Sequence, residues 1–200
     1  TRIIAEVGPN HNGDLNIAKD IVKKLKNSGV DYIKFQLAIP NDVYSDDSFF
    51  ADYQKNNTNQ KTIIEMSKQI QLSFKEHSAL FKFCNINKLR YCCSAFDLKS
   101  LKYIYKNFNL PFFKVPSGEI FSLDTIDFMK KKDIPILLST GTSKIEDIEF
   151  IVNYLGKNLK NRLVLMHCIS SYPAKLSELN LNFMNYLSNK FNLDVGYSDH

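Results

Sequence analysis

Apolar and β-branched residues gather in seven short runs, Ile3–Val7, Tyr32–Leu37, Arg90–Ala95, Phe112–Pro116, Ile136–Thr140, Leu163–Cys168 and Val195–Tyr197. Runs of this length, bounded by Gly, Pro, Asn and Asp, predict strands. Between them apolar residues recur at helical spacing. Leu15, Ala18, Ile21, Val22 and Leu25 share one face before a stop at Gly29, and Ile145, Ile148, Ile151, Val152 and Leu155 do the same before Gly156. Further helices are expected near Thr62–Ile70 and Phe74–Asn87, after a long polar and aromatic loop over Pro40–Asn59.

Strand and helix alternate throughout, which means parallel strands joined by right-handed helical crossovers. Two α/β architectures compete. A dinucleotide-binding doubly wound sheet would carry G-x-G-x-x-G after its first strand, whereas here the chain runs Gly8-Pro9-Asn10-His11-Asn12-Gly13. Polar residues instead mark the carboxyl ends of the strands: Glu6, Lys34 with Gln36, Ser94, Lys114 with Ser117 and Glu119, Ser139 with Thr140, His167, and Ser198 with His200. In a barrel such positions converge on one mouth. The expectation is therefore an α/β chain of the (β/α)8 TIM-barrel class, truncated after about seven strands. The 200 residues would then form one incomplete barrel domain, and both ends read as cut.

Composition narrows this only at the margins. With 44% hydrophobic and 24% charged residues, 7 Gly and 6 Pro, the chain is globular, which excludes disordered and collagen-like classes. The excess of 26 Lys+Arg over 21 Asp+Glu, 26 − 21 = +5, is scattered, and its densest run, Lys130–Lys132, reads as a solvated helix end. No basic cluster alternates with exposed aromatics, so no nucleic-acid partner is expected. No apolar stretch reaches the roughly 18 residues of a membrane span. Cys84, Cys92, Cys93 and Cys168 lack CxxC spacing and read as buried, reduced thiols of a cytoplasmic protein.

Two lysines carry the first chemical signal. Lys34 in Tyr-Ile-Lys-Phe-Gln and Lys114 in Phe-Phe-Lys-Val-Pro lie among apolar neighbours within strands, so each ammonium is held in or beside the core. A buried cation needs an anionic partner. With Ser117-Gly118 and Ser139-Thr140-Gly141 opening the following loops, the pattern suits a phosphate or carboxylate cradle; a structural pairing with Glu6 or Glu119 is the alternative. Glu6, at a strand end, is a lysine partner, a catalytic carboxylate or both. His167 and His200 also end strands, where imidazole suits a divalent metal, while a single histidine reads more simply as a hydrogen-bonded core or mouth residue. His11 falls in a loop near the inferred mouth and His77 on a helix.

Six strand-end motifs, in order, resemble those of the sialic acid synthases, the N-acetylneuraminate synthases and their legionaminate and pseudaminate relatives. They are Ile-Ile-Ala-Glu-Val-Gly-Pro-Asn-His-Asn-Gly (3–13), Ile-Lys-Phe-Gln (33–36), Phe-Lys-Val-Pro-Ser-Gly-Glu (113–119), Leu-Leu-Ser-Thr-Gly (137–141), His-Cys-Ile-Ser-Ser-Tyr-Pro (167–173) and Gly-Tyr-Ser-Asp-His (196–200). The resemblance implies condensation of phosphoenolpyruvate with N-acetylmannosamine or a related hexose, releasing phosphate by C–O cleavage. It implies a divalent metal, manganese with magnesium as the alternative, and a homodimer in which a C-terminal antifreeze-like domain, absent from this chain, reaches into the neighbouring subunit's site.

By the same resemblance Lys34, Lys114, Ser117 and Ser139 hold phosphoenolpyruvate, with Ser94 and Ser170 in the same pocket. Glu6 and Glu119 are the catalytic carboxylates, Glu119 also contacting the sugar with Gln36 and Tyr172. His200 is one of two histidine metal ligands, the other lying in a motif beyond this chain. Three departures stand out: Ser170 where relatives carry Asn, Ser94-Ala95-Phe96 for Thr-Pro-Phe, and Pro9 where apolar residues are commoner. The alternatives are a legionaminate or pseudaminate synthase, another phosphoenolpyruvate-using barrel synthase acting on a phosphorylated aldose, or an inactive fragment that binds a sugar phosphate.

Overall fold

The computed structural model describes residues 1–45, 48–50 and 59–200. Its contacts divide into two compact units, Thr1–Pro111 and Phe112–His200.

In the first unit β1 (Ile4–Glu6), β2 (Tyr32–Leu37) and β3 (Arg90–Ala95) are parallel and adjacent in sequence order. The crossovers are α1 (Leu15–Leu25) and, between β2 and β3, α2 (Pro40–Val43), α3 (Ile63–Ile70) and α4 (Phe74–Ile86); α5 (Leu98–Asn107) follows β3. Helix starts are capped as their sequences dictate. Asp14 and Asp97 accept from first-turn N–H groups, and Thr62 and Ser73 open full capping boxes with Glu65 and Glu76. The expected loop Pro40–Asn59 is corrected at its start, where Pro40 at the first helical position begins the one-turn α2. Positions 46, 47 and 51–58 of that loop lie outside the described residues.

The second unit carries β4 (Phe113–Val115), β5 (Ile136–Ser139), β6 (Leu163–Cys168) and β7 (Asp194–Ser198), again parallel and in order. Helices α6 (Leu123–Lys130), α7 (Ile145–Leu155) and α8 (Phe183–Phe191) make the crossovers. Ile148, Ile151 and Leu155 of α7 are buried as their spacing requires, and Gly156 at φ 87° ends the helix.

Strands buried on both faces explain the near-continuous apolar runs. In β3, Cys92 and Cys93 point to opposite faces and both are buried. All four cysteines are free and buried, and burial pushes the Cys84 and Cys93 thiols up to about 12, so neither is a nucleophile at neutral pH. On the helix-facing side of β3, Tyr91 centres an aromatic cluster, stacking on Phe35 at 5.5 Å and meeting Phe81 and Phe108 edge-on at 5.6 and 5.3 Å.

His77 of α4 enters this cluster instead of facing solvent. It is fully buried, with Nδ1 bonded to the Tyr91 hydroxyl at 2.7 Å, while Nε2 makes no hydrogen bond among the described residues. Burial first, then the nearby His11, lowers its pKa from 6.5 to about 4. The folded state thus holds His77 neutral where the unfolded chain would protonate it. Its contribution to stability is complete above about pH 6.5 and is lost as pH falls towards 4, by up to about 3 kcal/mol. Urea unfolding across that range should show the loss, and His77→Gln should flatten it; an unchanged slope would place the acid sensitivity elsewhere.

Candidate active site

In the first unit the register sets Glu6 of β1 opposite Lys34 of β2, and Gln36 of β2 opposite Ser94 of β3. Alternation then puts all four side chains on the face away from Ile33, Phe35 and Leu37. Lys34 is only 9% exposed, and its ammonium forms an ion pair with Glu6 Oε2 and donates to Ser94 Oγ at 3.2 Å. Gln36 Nε2 donates to the other oxygen, Glu6 Oε1, at 3.0 Å. Both carboxylate oxygens are therefore held and the group has one orientation. The sequence left open whether Lys34 served an anion or a structural ion pair. Here it is paired with Glu6, at a point where the Glu6 side chain is 42% exposed and so open to a ligand.

The loop after β1 closes tightly over this cluster. Val7 and Gly8 N–H groups both donate to the Lys34 carbonyl, at 2.9 and 3.3 Å. Gly8 has φ 51°, and a Cβ there would lie 3.2 Å from Glu6 Oε1 and 3.3 Å from Gln36 Nε2. His11 is a turn-closing residue: buried, it accepts at Nδ1 from the Gly13 N–H at 3.1 Å, and burial lowers its pKa.

In the second unit Lys114 of β4, also 9% exposed, donates to Ser139 Oγ of β5 at 2.6 Å and to the Val115 carbonyl at 3.1 Å. Ser117 and Glu119 lie in a single 3-10 turn, Ser117–Glu119, whose Ser117 carbonyl accepts from Thr142 Oγ1 at 2.7 Å. Ser122 Oγ donates to Glu119 Oε2. The exposed Ser170 follows β6 and abuts Gly141, where a Cβ would come within 2.6 Å of Ser170 Oγ.

His200 is fixed by its neighbours. Nδ1 lies 2.5 Å from the Ile169 carbonyl and so must donate to it, which leaves the lone pair on Nε2, 3.4 Å from Ser198 Oγ. Tyr172 stacks on the imidazole at 4.4 Å, and the Ala174 N–H donates to the His200 carbonyl at 2.9 Å. This is the tautomer a metal ligand needs. Among the described residues, however, no group of three or more His, Cys, Asp and Glu could hold a metal ion. His200 is thus a single prepared imidazole, and the described residues bring no second or third such ligand to it. His167 takes its simpler reading: buried, its Nε2 meets the Leu179 carbonyl at 2.8 Å and anchors the loop that carries Tyr172.

The family model of the NeuB family matches residues 21–200. The chain belongs to the NeuB family. It is 40% identical over 206 residues to the N,N'-diacetyllegionaminic acid synthase of Campylobacter jejuni, covering all of this chain and 60% of that protein. It is 36% identical over 203 residues to the synthase of the same name from Legionella pneumophila, covering 99% of this chain and 57% of that one. Among solved structures it resembles the N-acetylneuraminic acid synthetase of Leptospira borgpetersenii, crystallised with citrate, at TM-score 0.83 and 26% identity over 99% of this chain and 64% of that one. This NeuB-family chain thus spans less than two thirds of these relatives, and its described residues carry seven parallel strands alternating with helices, the (β/α)8-barrel class expected from the strand ends, one strand short of eight.

Two residues that shape the site escaped the sequence reading. Ser122 was hidden because serine before a helix reads as a cap, and Gly8 because only the fold shows what its missing Cβ would strike. Gly8→Ala should cost about 1–2 kcal/mol through its left-handed backbone and push Glu6 and Gln36 apart. Thermal unfolding should report the first effect and a crystal structure of the variant the second; a Glu6–Gln36 distance still near 3.0 Å would mean that the contact accommodates the added methyl.

Proposed function

We propose that the full-length protein condenses phosphoenolpyruvate with an N-acylated mannose-type sugar to give a nine-carbon 2-keto acid and phosphate. The observation that carries this reading is that Lys34 and Lys114, each nearly buried within a strand, are each hydrogen-bonded to a serine hydroxyl. An ammonium donating to Ser Oγ leaves the hydroxyl proton free to donate onward, so each pair presents charge and a neutral donor to an anion. That suits the carboxylate and phosphate of phosphoenolpyruvate, with Ser117 and Ser170 as further loop donors. The synthetase from L. borgpetersenii, crystallised with citrate, is in keeping with a family site for polyanions.

In the reaction C3 of phosphoenolpyruvate attacks the sugar aldehyde carbon, forming the C–C bond, and the aldehyde oxygen takes a proton to become a hydroxyl. Water adds at C2 and gives up a proton, and the tetrahedral carbon expels phosphate by C–O cleavage. Glu6, held at both oxygens, is the carboxylate that receives the proton of the attacking water. Glu119, Gln36 and Tyr172 meet the sugar. A bound divalent cation, manganese or magnesium, would polarise the aldehyde; His200 would be one of its ligands. The homodimer and the antifreeze-like domain belong to the same proposal, as does a cytoplasmic setting, where phosphoenolpyruvate is made. Among the described residues no helix is long and apolar enough to cross a membrane.

A second reading concerns the acceptor. Identities of 36–40% to N,N'-diacetyllegionaminic acid synthases, against 26–29% to N-acetylneuraminate-9-phosphate synthases, favour a sugar bearing two acetamido groups. Phosphate release should require phosphoenolpyruvate together with such an acceptor or N-acetylmannosamine; release with erythrose 4-phosphate or arabinose 5-phosphate alone would sink the proposal. Lys114→Met should lower kcat/KM for phosphoenolpyruvate about 100-fold or more, the scale of losing one preorganised charge-stabilising donor.

A further inference from the structure

Ser122 occupies the N-cap of α6, a position where serine ordinarily turns its oxygen to the N–H groups of the first turn. It does not cap. Elsewhere the chain does use such hydroxyls: Thr62 accepts from Glu65 N at 3.1 Å and Ser73 from Glu76 N at 3.3 Å. At α6 the Thr125 N–H is taken instead by Asp124 Oδ1 at 2.7 Å and by the Ser122 carbonyl at 3.0 Å. The Ser122 hydroxyl is thereby released, and it donates backwards to Glu119 Oε2. The Ser122 N–H also donates to the Glu119 carbonyl at 3.1 Å. One residue therefore fixes Glu119 at both main chain and side chain.

A local rule broken without a gain to the helix points to function. We infer that Ser122 is a positioning residue: its hydroxyl holds Glu119 in the rotamer that presents the second carboxylate oxygen, Oε1, to a hydroxyl or N-acyl N–H of the acceptor sugar. Among the described residues Glu119 forms no ion pair, so this charge-assisted hydrogen bond is what orders it. Thr142, which donates to the Ser117 carbonyl, steadies the other end of the same turn. The inference rests on the reading of Glu119 as a sugar contact.

The test uses the full-length protein with N-acetylmannosamine and with a 2,4-diacetamido hexose as acceptors, in Ser122→Ala, Ser122→Thr and Glu119→Gln variants. Ser122→Ala should raise KM for the active acceptor about tenfold, as expected for losing a hydrogen bond to a charged group. KM for phosphoenolpyruvate and the urea midpoint should stay at wild-type values, because no cap is lost. Ser122→Thr should restore acceptor KM. If Ser122→Ala lowers the urea midpoint while acceptor KM is unchanged, the hydroxyl is an ordinary cap and the inference is overturned. If Glu119→Gln raises acceptor KM and Ser122→Ala does not, the inference alone falls; if neither raises it, the reading of Glu119 falls first and takes the inference with it.

Discussion

The Lys34 ammonium is the constraint around which the first unit's polar face is arranged. An ion taken from water into a protein interior costs several kcal/mol even after relaxation, a large share of the 5–15 kcal/mol that typically holds a domain together. Lys34 sits in a strand whose other residues are almost all buried, so its charge must be answered within reach of one side chain. Parallel register supplies the answer, because the residue opposite Lys34 is Glu6, and Ser94 stands two residues beyond Lys34's own partner on β3. The pair is not sealed, since Glu6 is partly exposed, and the desolvation of Lys34 offsets much of what the ion pair gains, so its net contribution to stability is small. An ammonium retained where it adds little to stability is better explained by what it can bind.

Much of this was legible in the chain. The bounds of β2, β3 and β6 follow the apolar runs because each strand is buried on both faces, so hydrophobicity alone traces it. β1 and β4 are shorter than their runs. At β1 the Val7 N–H makes the last ladder bond to the Lys34 carbonyl, and Gly8, at φ 51°, turns the chain so that its N–H shares that carbonyl and the ladder ends. β7 is longer than its run because Asp194 and Ser198 pair in register with Val164 and Cys168 although neither is apolar. The lysines could be read because a charge inside an apolar run is conspicuous.

What could not be read are the residues whose partners are chosen by the fold. His77 scores as a polar helix residue, and only the placement of α4 on β3 sends it to Tyr91. Asp97 reads as a helix cap and is one, but its carboxylate also accepts from the Ile39 N–H at 2.8 Å and so ties the end of β2 to the start of α5. Ser122 sits in the same kind of sequence context and makes the opposite choice. Capping propensity describes what a hydroxyl can do, not which of two acceptable partners lies nearer.

The choice of serine at these positions follows from the two-sided chemistry of a hydroxyl. Ser94 and Ser139 accept from ammonium groups, whereas Ser122 donates to a carboxylate. A hydroxyl that accepts from a cation still has its proton to offer, and one that donates to an anion still has lone pairs. Each serine can therefore satisfy the charge beside it without adding charge of its own, and keep one capacity unused. Alanine would leave the ion underserved, and a second charged residue would either repel it or neutralise it against a substrate. Serine lets the protein hold an ammonium or a carboxylate in place while leaving its charge available for binding.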